Sequence, residues 1–297
     1  MLSIDPKSVP TAQMHGYMLG AVAPRPIAFA STVDAEGRPN LSPFSFFNAF
    51  SANPPVMVFS PARRVRNNTT KHTLENARAT GEVVINVVSY DIVQQMSLSS
   101  TEYPDGVNEF TKAGLTPLAS EKVAPFRVKE SPAQFECKVL DIIELGESGG
   151  AGNLIVCEVV MAHINEDVLD DNKRIDPFKI DLVARMGGNW YCRANGDALF
   201  EVEKPISTLG IGVDQIPQEI RNSSILTGNN LGQLGNVEVI PDETEVNEYK
   251  LTELSELFEE LRDQPVELER ELHLRAHNLL KEGKSDEAWK TLLTFNP

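Results

Sequence analysis

Disulfide chemistry, a membrane span and a basic surface are all missing from this chain of 297 residues. Its three cysteines, Cys137, Cys157 and Cys192, are odd in number, and no two form a CxxC pair. That disfavours a disulfide framework and a structural zinc site, and it fits a reducing cytoplasm. No apolar run reaches the ~18 residues that a bilayer span requires. The opening Met-Leu-Ser-Ile-Asp-Pro-Lys lacks the basic and apolar stretches of a secretory signal. Positive charge is scarce as well. Lys and Arg total 27 against 43 Asp and Glu, giving a net charge of −16 and a pI near 4.8. Such a balance repels phosphate backbones and anionic lipid, so neither nucleic acid nor a membrane surface is expected as a partner.

What is present suits a soluble globular protein of one large or two smaller domains, with 41% hydrophobic residues. The first two hundred residues read mainly as strands. Pro26–Val33 is apolar and β-branched, Asp34-Ala-Glu-Gly37 is a turn signal, and Asn40–Phe50 resumes as a strand. Further strands are expected over Pro55–Ser60, Val83–Val88, Ala133–Glu144 and Leu154–Ile164. Helices are expected over Thr70–Ala79, Ile92–Leu98 and Asn108–Ala113. Strands outnumber helices without regular alternation, which argues for an antiparallel barrel or sandwich. No GxGxxG follows a strand, so a Rossmann-type nicotinamide domain is unsupported.

Near residue 200 the character changes. Residues 201–241 are rich in Gly, Asn, Pro and Ser and are expected as an extended arm or linker. Residues 242–297 read as an acidic helical hairpin, with twelve acidic and three basic residues between Asp242 and Glu271. Leu251, Leu254, Leu257, Phe258 and Leu261 fall on one helical face. Pro265 is expected to open the next helix and Gly283 to end it. Ser285 or Asp286 is expected to cap a third. Ala276–Ala288 looks like half of a tetratricopeptide-type unit, but a single unit cannot make a solenoid.

The chemistry concentrates between Pro24 and Thr73. Pro24-Arg-Pro-Ile-Ala-Phe-Ala-Ser-Thr32 is followed by Asn40-Leu-Ser-Pro-Phe-Ser-Phe-Phe-Asn48, then Val58-Phe-Ser60 and Lys71-His-Thr73. Hydroxyl and amide side chains thus fall at the ends of adjacent strands. A basic loop, Arg63-Arg-Val-Arg66, then leads into a helix for which Thr69 or Thr70 is the expected cap. A helix N-terminus with free N–H groups beside Arg63, Arg64, Arg66 and Lys71 is a place for a phosphate monoester. On spacing alone a plainer reading stands beside it: a barrel strand with Phe44 and Phe46 in the core, and a solvated arginine loop.

This ordered set of motifs resembles the flavin reductase-like, FMN-binding split-barrel family, which includes flavoredoxins. So do Gly81-Glu-Val-Val-Ile-Asn-Val87, Gly106-Val-Asn-Glu-Phe110 with Ala113-Gly-Leu115, Glu130-Ser-Pro132 with Glu136-Cys137, and Ala184-Arg-Met-Gly-Gly188 before Tyr191. The resemblance covers about residues 10 to 195. It implies an antiparallel split barrel with peripheral helices over residues 1–200, ahead of a C-terminal helical extension. It implies Ser31, Thr32, Ser45 and Asn48 at the isoalloxazine or ribityl chain of FMN, and Ser60, Arg63, Lys71 and Thr73 at its phosphate. Arg185 is expected at the cofactor or the opposite subunit. The chain departs from the family pattern at His72, where Asp is common, and in its longer basic loop.

Other clusters carry less. His273 and His277 lie four apart on a helix without a third ligand, so they read as surface histidines and no metal is expected. His163 fits a hydrogen-bonded core or rim position better than a nicotinamide contact. Cys157 reads as a small buried hydrophobe. No catalytic dyad is evident. The function expected is an NAD(P)H-dependent FMN reductase, with NAD(P)H as transient donor and a homodimer as the assembly implied by the resemblance. The alternative is a non-catalytic flavin carrier that docks a redox protein through its acidic extension.

Overall fold

The structure is a computed structural model that describes residues 1–202, 204–206 and 209–295. The chain divides into two compact units, Met1–Phe200 and Glu201–Pro297. The first opens with α1 (Thr11–Ala21), followed by β1 (Ala28–Val33), β2 (Pro39–Phe44), β3 (Phe47–Ala52) and β4 (Pro55–Phe59). Next come α2 (His72–Thr80), β5 (Glu82–Asn86), α3 (Val93–Leu98) and α4 (Glu109–Ala113). The unit ends with β6 (Pro117–Leu118), β7 (Arg127–Val128), β8 (Ala133–Glu144), β9 (Asn153–Ile164), β10 (Leu182–Arg185) and β11 (Tyr191–Ala194).

Seven strands form one antiparallel sheet in the order β2-β1-β5-β8-β9-β4-β3. The Asp34–Gly37 turn forms as its residues dictate. The Asp34 carboxylate accepts the backbone N–H groups of Glu36 and Arg38 at 3.0 and 2.8 Å, and Gly37 takes φ 79°. An antiparallel sheet with flanking helices was expected; closure into a barrel is not found. Among the described residues no ladder joins the edge strands β2 and β3, although they follow one another directly in the chain. The reason lies at Ser45-Phe46, where the expected single strand Asn40–Phe50 breaks in two. Phe44 enters the core, whereas Phe46 turns out to solvent.

Alternation along β1 feeds two cores. Ala28 and Ala30 pack with Phe44, Phe59, Ile85, Cys137 and Cys157, closed over by Leu74 and Ala77 of α2. Ile27 and Phe29 point the other way, to Leu41, Met96, Phe110 and Val183. Every residue of β1 is therefore buried. Helix α1 was not foreseen, because it has no apolar stripe, and none of its residues is buried.

The second unit contains α5 (Gln218–Arg221), α6 (Gly228–Gly235), α7 (Glu243–Glu253), α8 (Ser255–Glu260), α9 (Pro265–Lys281) and α10 (Ser285–Leu293). Residues 201–241 are not simply an arm. Ile216, Ile220, Leu226 and Leu234 form one core with Ala276, Leu280, Ala288, Trp289 and Leu292. The Trp289 indole N–H donates to the Leu234 carbonyl at 3.0 Å. Gly and Asn in this segment supply turns and a Thr227–Asn230 capping box, not disorder. The stripe from Leu251 to Leu261 spans two helices, broken at buried Leu254, and Leu251 lies exposed. Pro265 does open α9 and Gly283 follows its end, but Ser285 and Asp286 lie inside α10 and cap nothing. Among the described residues, no helix is long and apolar enough to cross a membrane.

Candidate functional site

The loop between β4 and α2 carries most of the local positive charge. Arg64 Nε approaches a Glu102 oxygen at 3.2 Å, Arg66 Nη2 reaches the other at 2.6 Å, and Lys71 Nζ stands 3.9 Å away. Three cations thus share one carboxylate. Burial pulls the Lys71 ammonium below the usual lysine range, with Arg64 and Arg66 adding to the fall and Glu102 opposing it. Burial tends to raise the Glu102 carboxyl, but Arg66, Lys71 and Arg64 outweigh it and hold the group low.

Lys71 is also the residue ahead of the first turn of α2, and no side chain caps that helix. Of the two expected caps, Thr69 has its hydroxyl engaged elsewhere. Thr69 Oγ1 donates to Asn67 Oδ1 at 2.8 Å and accepts from Arg64 Nη1 at 3.0 Å, while the Thr70 carbonyl also accepts from Arg64. The helix therefore presents uncapped N–H groups beside two surplus positive charges, which suits a dianion.

The sequence-predicted residues do not all converge there. Lys71 does. Ser60 and Arg63 lie in the approaching loop, where the Ser60 hydroxyl accepts from Asn153 N at 3.0 Å and the Arg63 guanidinium binds Asn68 Oδ1 and O at 2.8 and 2.9 Å. The Thr73 side chain is buried, and its Oγ1 accepts from Asn40 Nδ2 at 3.0 Å. Ser31 and Thr32 point to opposite faces of β1. Thr32 Oγ1 accepts from Asn76 of α2 at 3.1 Å, whereas the buried Ser31 hydroxyl, on the Phe29 side, has no partner. Ser45 and Asn48 sit at the β2–β3 junction, half-buried and exposed. The Arg185 guanidinium stacks 4.6 Å from the centre of the Tyr191 ring.

Three polar features escaped the sequence reading. Arg25 is buried and donates to the carbonyls of Leu19 and Val22, both at 2.6 Å, to Met186 O at 2.9 Å and to Ser45 Oγ at 3.4 Å. Glu136, fully buried, accepts the backbone N–H groups of Glu121 and Lys122 at 2.9 and 2.5 Å and meets His163 Nε2 at 2.7 Å. His163 is thus the hydrogen-bonded rim residue expected. Glu109 Oε2 accepts from Leu41 N at 3.1 Å, and burial raises its carboxyl above the ordinary range. Neither acid announces itself by spacing, because its partners come from distant segments.

The histidines on α9 are not surface residues. His273 is buried with Nδ1 2.7 Å from Ser223 Oγ, and His277 Nδ1 lies 2.8 Å from Asn230 Oδ1. Among the described residues no three potential ligands gather for a metal. A cavity of about 200 Å³ lies between Tyr90, Gln94, Ser97, Tyr191 and Arg193. That is below the ~300–1,000 Å³ of a typical cofactor pocket.

Comparison assigns this fold to a flavin-handling class. The model of the flavin reductase like domain matches residues 19–179, and the chain belongs to that family. Membership places it among flavin-related oxidoreductases. An uncharacterized protein of Aquifex aeolicus is 36% identical over 189 residues, spanning 64% of this chain and 94% of its own length. The nitrilotriacetate monooxygenase component B of Bacillus cereus superposes with TM-score 0.64 and 31% identity, covering 68% of this chain and 98% of that one. The 2-nitrobenzoate 2-nitroreductase of Pseudomonas fluorescens gives 0.60 and 25%, over 68% and 96%.

Proposed function

We propose that the first unit binds FMN and passes electrons from NAD(P)H to it, acting as a flavin reductase. The observation that carries this reading is the uncapped start of α2 flanked by Arg64, Arg66 and Lys71 against the single acid Glu102. In a chain of net charge −16, surplus cations that partly forgo solvent need a reason, and a terminal phosphate supplies one. When bound, FMN supplies a ring that accepts hydride from a reduced nicotinamide and hands electrons onward. Lys71 and Arg64 hold the phosphate, and the Thr73 backbone N–H completes the cradle. Ser45 and Asn48 flank the ring at the β2–β3 junction. Arg25 keeps Ser45 in place.

Strand β3 is exposed along nearly its whole length and leaves an unpaired sheet edge, with exposed Phe46 and Phe50 beside it. A second copy of the chain covers this edge and helps enclose the ring. The two buried thiols take no part in the chemistry: burial pushes Cys157 up to about 12 and raises Cys137 well above its ordinary value. The alternative, a flavin carrier that is not itself a reductase, is favoured by the second unit, whose 20 acidic and 9 basic residues make a surface for a basic redox partner. Anaerobic mixing with NADH or NADPH separates the two. Loss of the flavin band near ~450 nm within seconds is expected; a bound flavin that keeps its band identifies the carrier.

A further inference from the structure

The cations reach one place only if the loop carrying them has a fixed course, and that course is set from outside the loop. The β8–β9 turn, Gly146-Glu-Ser-Gly-Gly-Ala-Gly152, lies against it. Arg63 N donates to Ala151 O at 2.8 Å and Gly150 N returns a bond to Arg63 O at 3.0 Å. Asn68 Nδ2 donates to Glu147 O at 2.9 Å. At the foot of the turn Asn153, fully buried, donates from Nδ2 to Pro61 O at 2.8 Å and from its backbone to Ser60 Oγ at 3.0 Å.

The glycines are required by proximity. A Cβ on Gly149 would lie 3.1 Å from Arg64 O, Val65 Cα and Val65 O, and one on Gly152 would lie 2.8 Å from Ser60 Oγ. Gly150 takes φ 94°. The backbone at Arg64 thus passes so close to the turn that a side chain at Gly149 would press it aside by a few tenths of an ångström. Asn153 has one further property: its Oδ1 is buried with no partner. A buried acceptor left unpaired is destabilising, and a leucine of similar size would avoid it. The amide is explained by its other atom, which grips Pro61.

We infer that Asn153 and the glycine turn are positioning elements for anion binding: they fix the 61–71 loop so that Arg64, Arg66 and Lys71 converge at α2. This rests on the reading of that cradle as the flavin phosphate site. Asn153 itself touches no ligand. It sets how well the chain tells a phosphorylated flavin from one without phosphate.

The test titrates the full-length protein with FMN and with riboflavin, following flavin fluorescence, for the wild type and for Asn153→Leu, Gly149→Ala and Lys71→Ala. Asn153→Leu and Gly149→Ala are expected to weaken FMN about tenfold, the scale of one misplaced charge-assisted bond, and to leave riboflavin within about twofold. If either flavin choice makes no difference, both weakening alike or neither moving, while Lys71→Ala weakens FMN alone, the positioning role is wrong and the turn is only scaffold. If Lys71→Ala spares FMN, the phosphate reading itself fails and takes this inference with it. Should Asn153→Leu not fold, Gly149→Ala decides alone, since it alters neither a cation nor the amide.

Discussion

Two charged clusters in the first unit use the same ingredients to opposite ends. Around Glu136 the acid is enclosed by its donors, with the Arg127 guanidinium 3.9 Å away at the edge. Two backbone N–H groups and His163 converge on one carboxylate that solvent never reaches. Around Glu102 the cations outnumber the acid, and all remain partly in water. A closed cluster holds the protein together. A cluster with charge left over is free to hold something else. The lesson is that residue type does not mark a binding site; an imbalance between donors and acceptors does.

The comparison breaks if either cluster behaves like the other. The largest effect is expected for Glu136→Ala, which strands buried N–H groups and should lower unfolding stability by ~3 kcal/mol in urea melts. Flavin discrimination should be unchanged. Acid sharpens this case. Burial works to raise Glu136, yet the N–H groups of Glu121 and Lys122 and the His163 contact outweigh it, leaving the folded carboxyl below its ordinary 4.5. Its stabilisation is then complete above that pH and disappears as pH falls through the lower folded value. The gap between wild type and Glu136→Gln should narrow as melts are taken progressively below pH 4.5.

Next in size is Lys71→Ala. Removing one of the converging cations should weaken FMN ten- to a hundredfold, about 1.5–3 kcal/mol, with little change in melting temperature of the flavin-free protein. The smallest effect is expected for Glu102→Gln. Withdrawing the acid from an exposed, screened cluster should tighten FMN only about two- to threefold, in a direction opposite to the Lys71 change. Weaker binding in Glu102→Gln would mean that the acid orients the cations and does not merely compete for them.

Much of the first unit was legible because its strands are buried by alternation. Ala133–Glu144 was placed to the residue, and the Asp34–Gly37 turn follows from local chemistry alone. The helix cap was misplaced at Thr69 or Thr70 because α2 begins later, with Lys71 in the cap position, while Arg64 takes the Thr69 hydroxyl. Thr73 sits in the right motif, but helical phase turns its side chain inward to Asn40. Residues 201–241 looked like a linker because their apolar residues are spaced irregularly; their partners, Ala276 to Leu292, lie forty or more residues onward. Pattern reports what a segment does with its neighbours in sequence. Arg25, Glu136 and Asn153 act on segments that no window of residues brings together.

Arg25 carries a last consequence. It grips α1 by the carbonyls of Leu19 and Val22, and α1 offers no buried side chain of its own. A helix moored by its main chain imposes almost nothing on its own lettering. Its outer residues are open to wholesale rewriting by drift or by whatever comes to lie against them. The mooring has no such latitude, since a lysine lacks the planar fork that reaches three carbonyls at once.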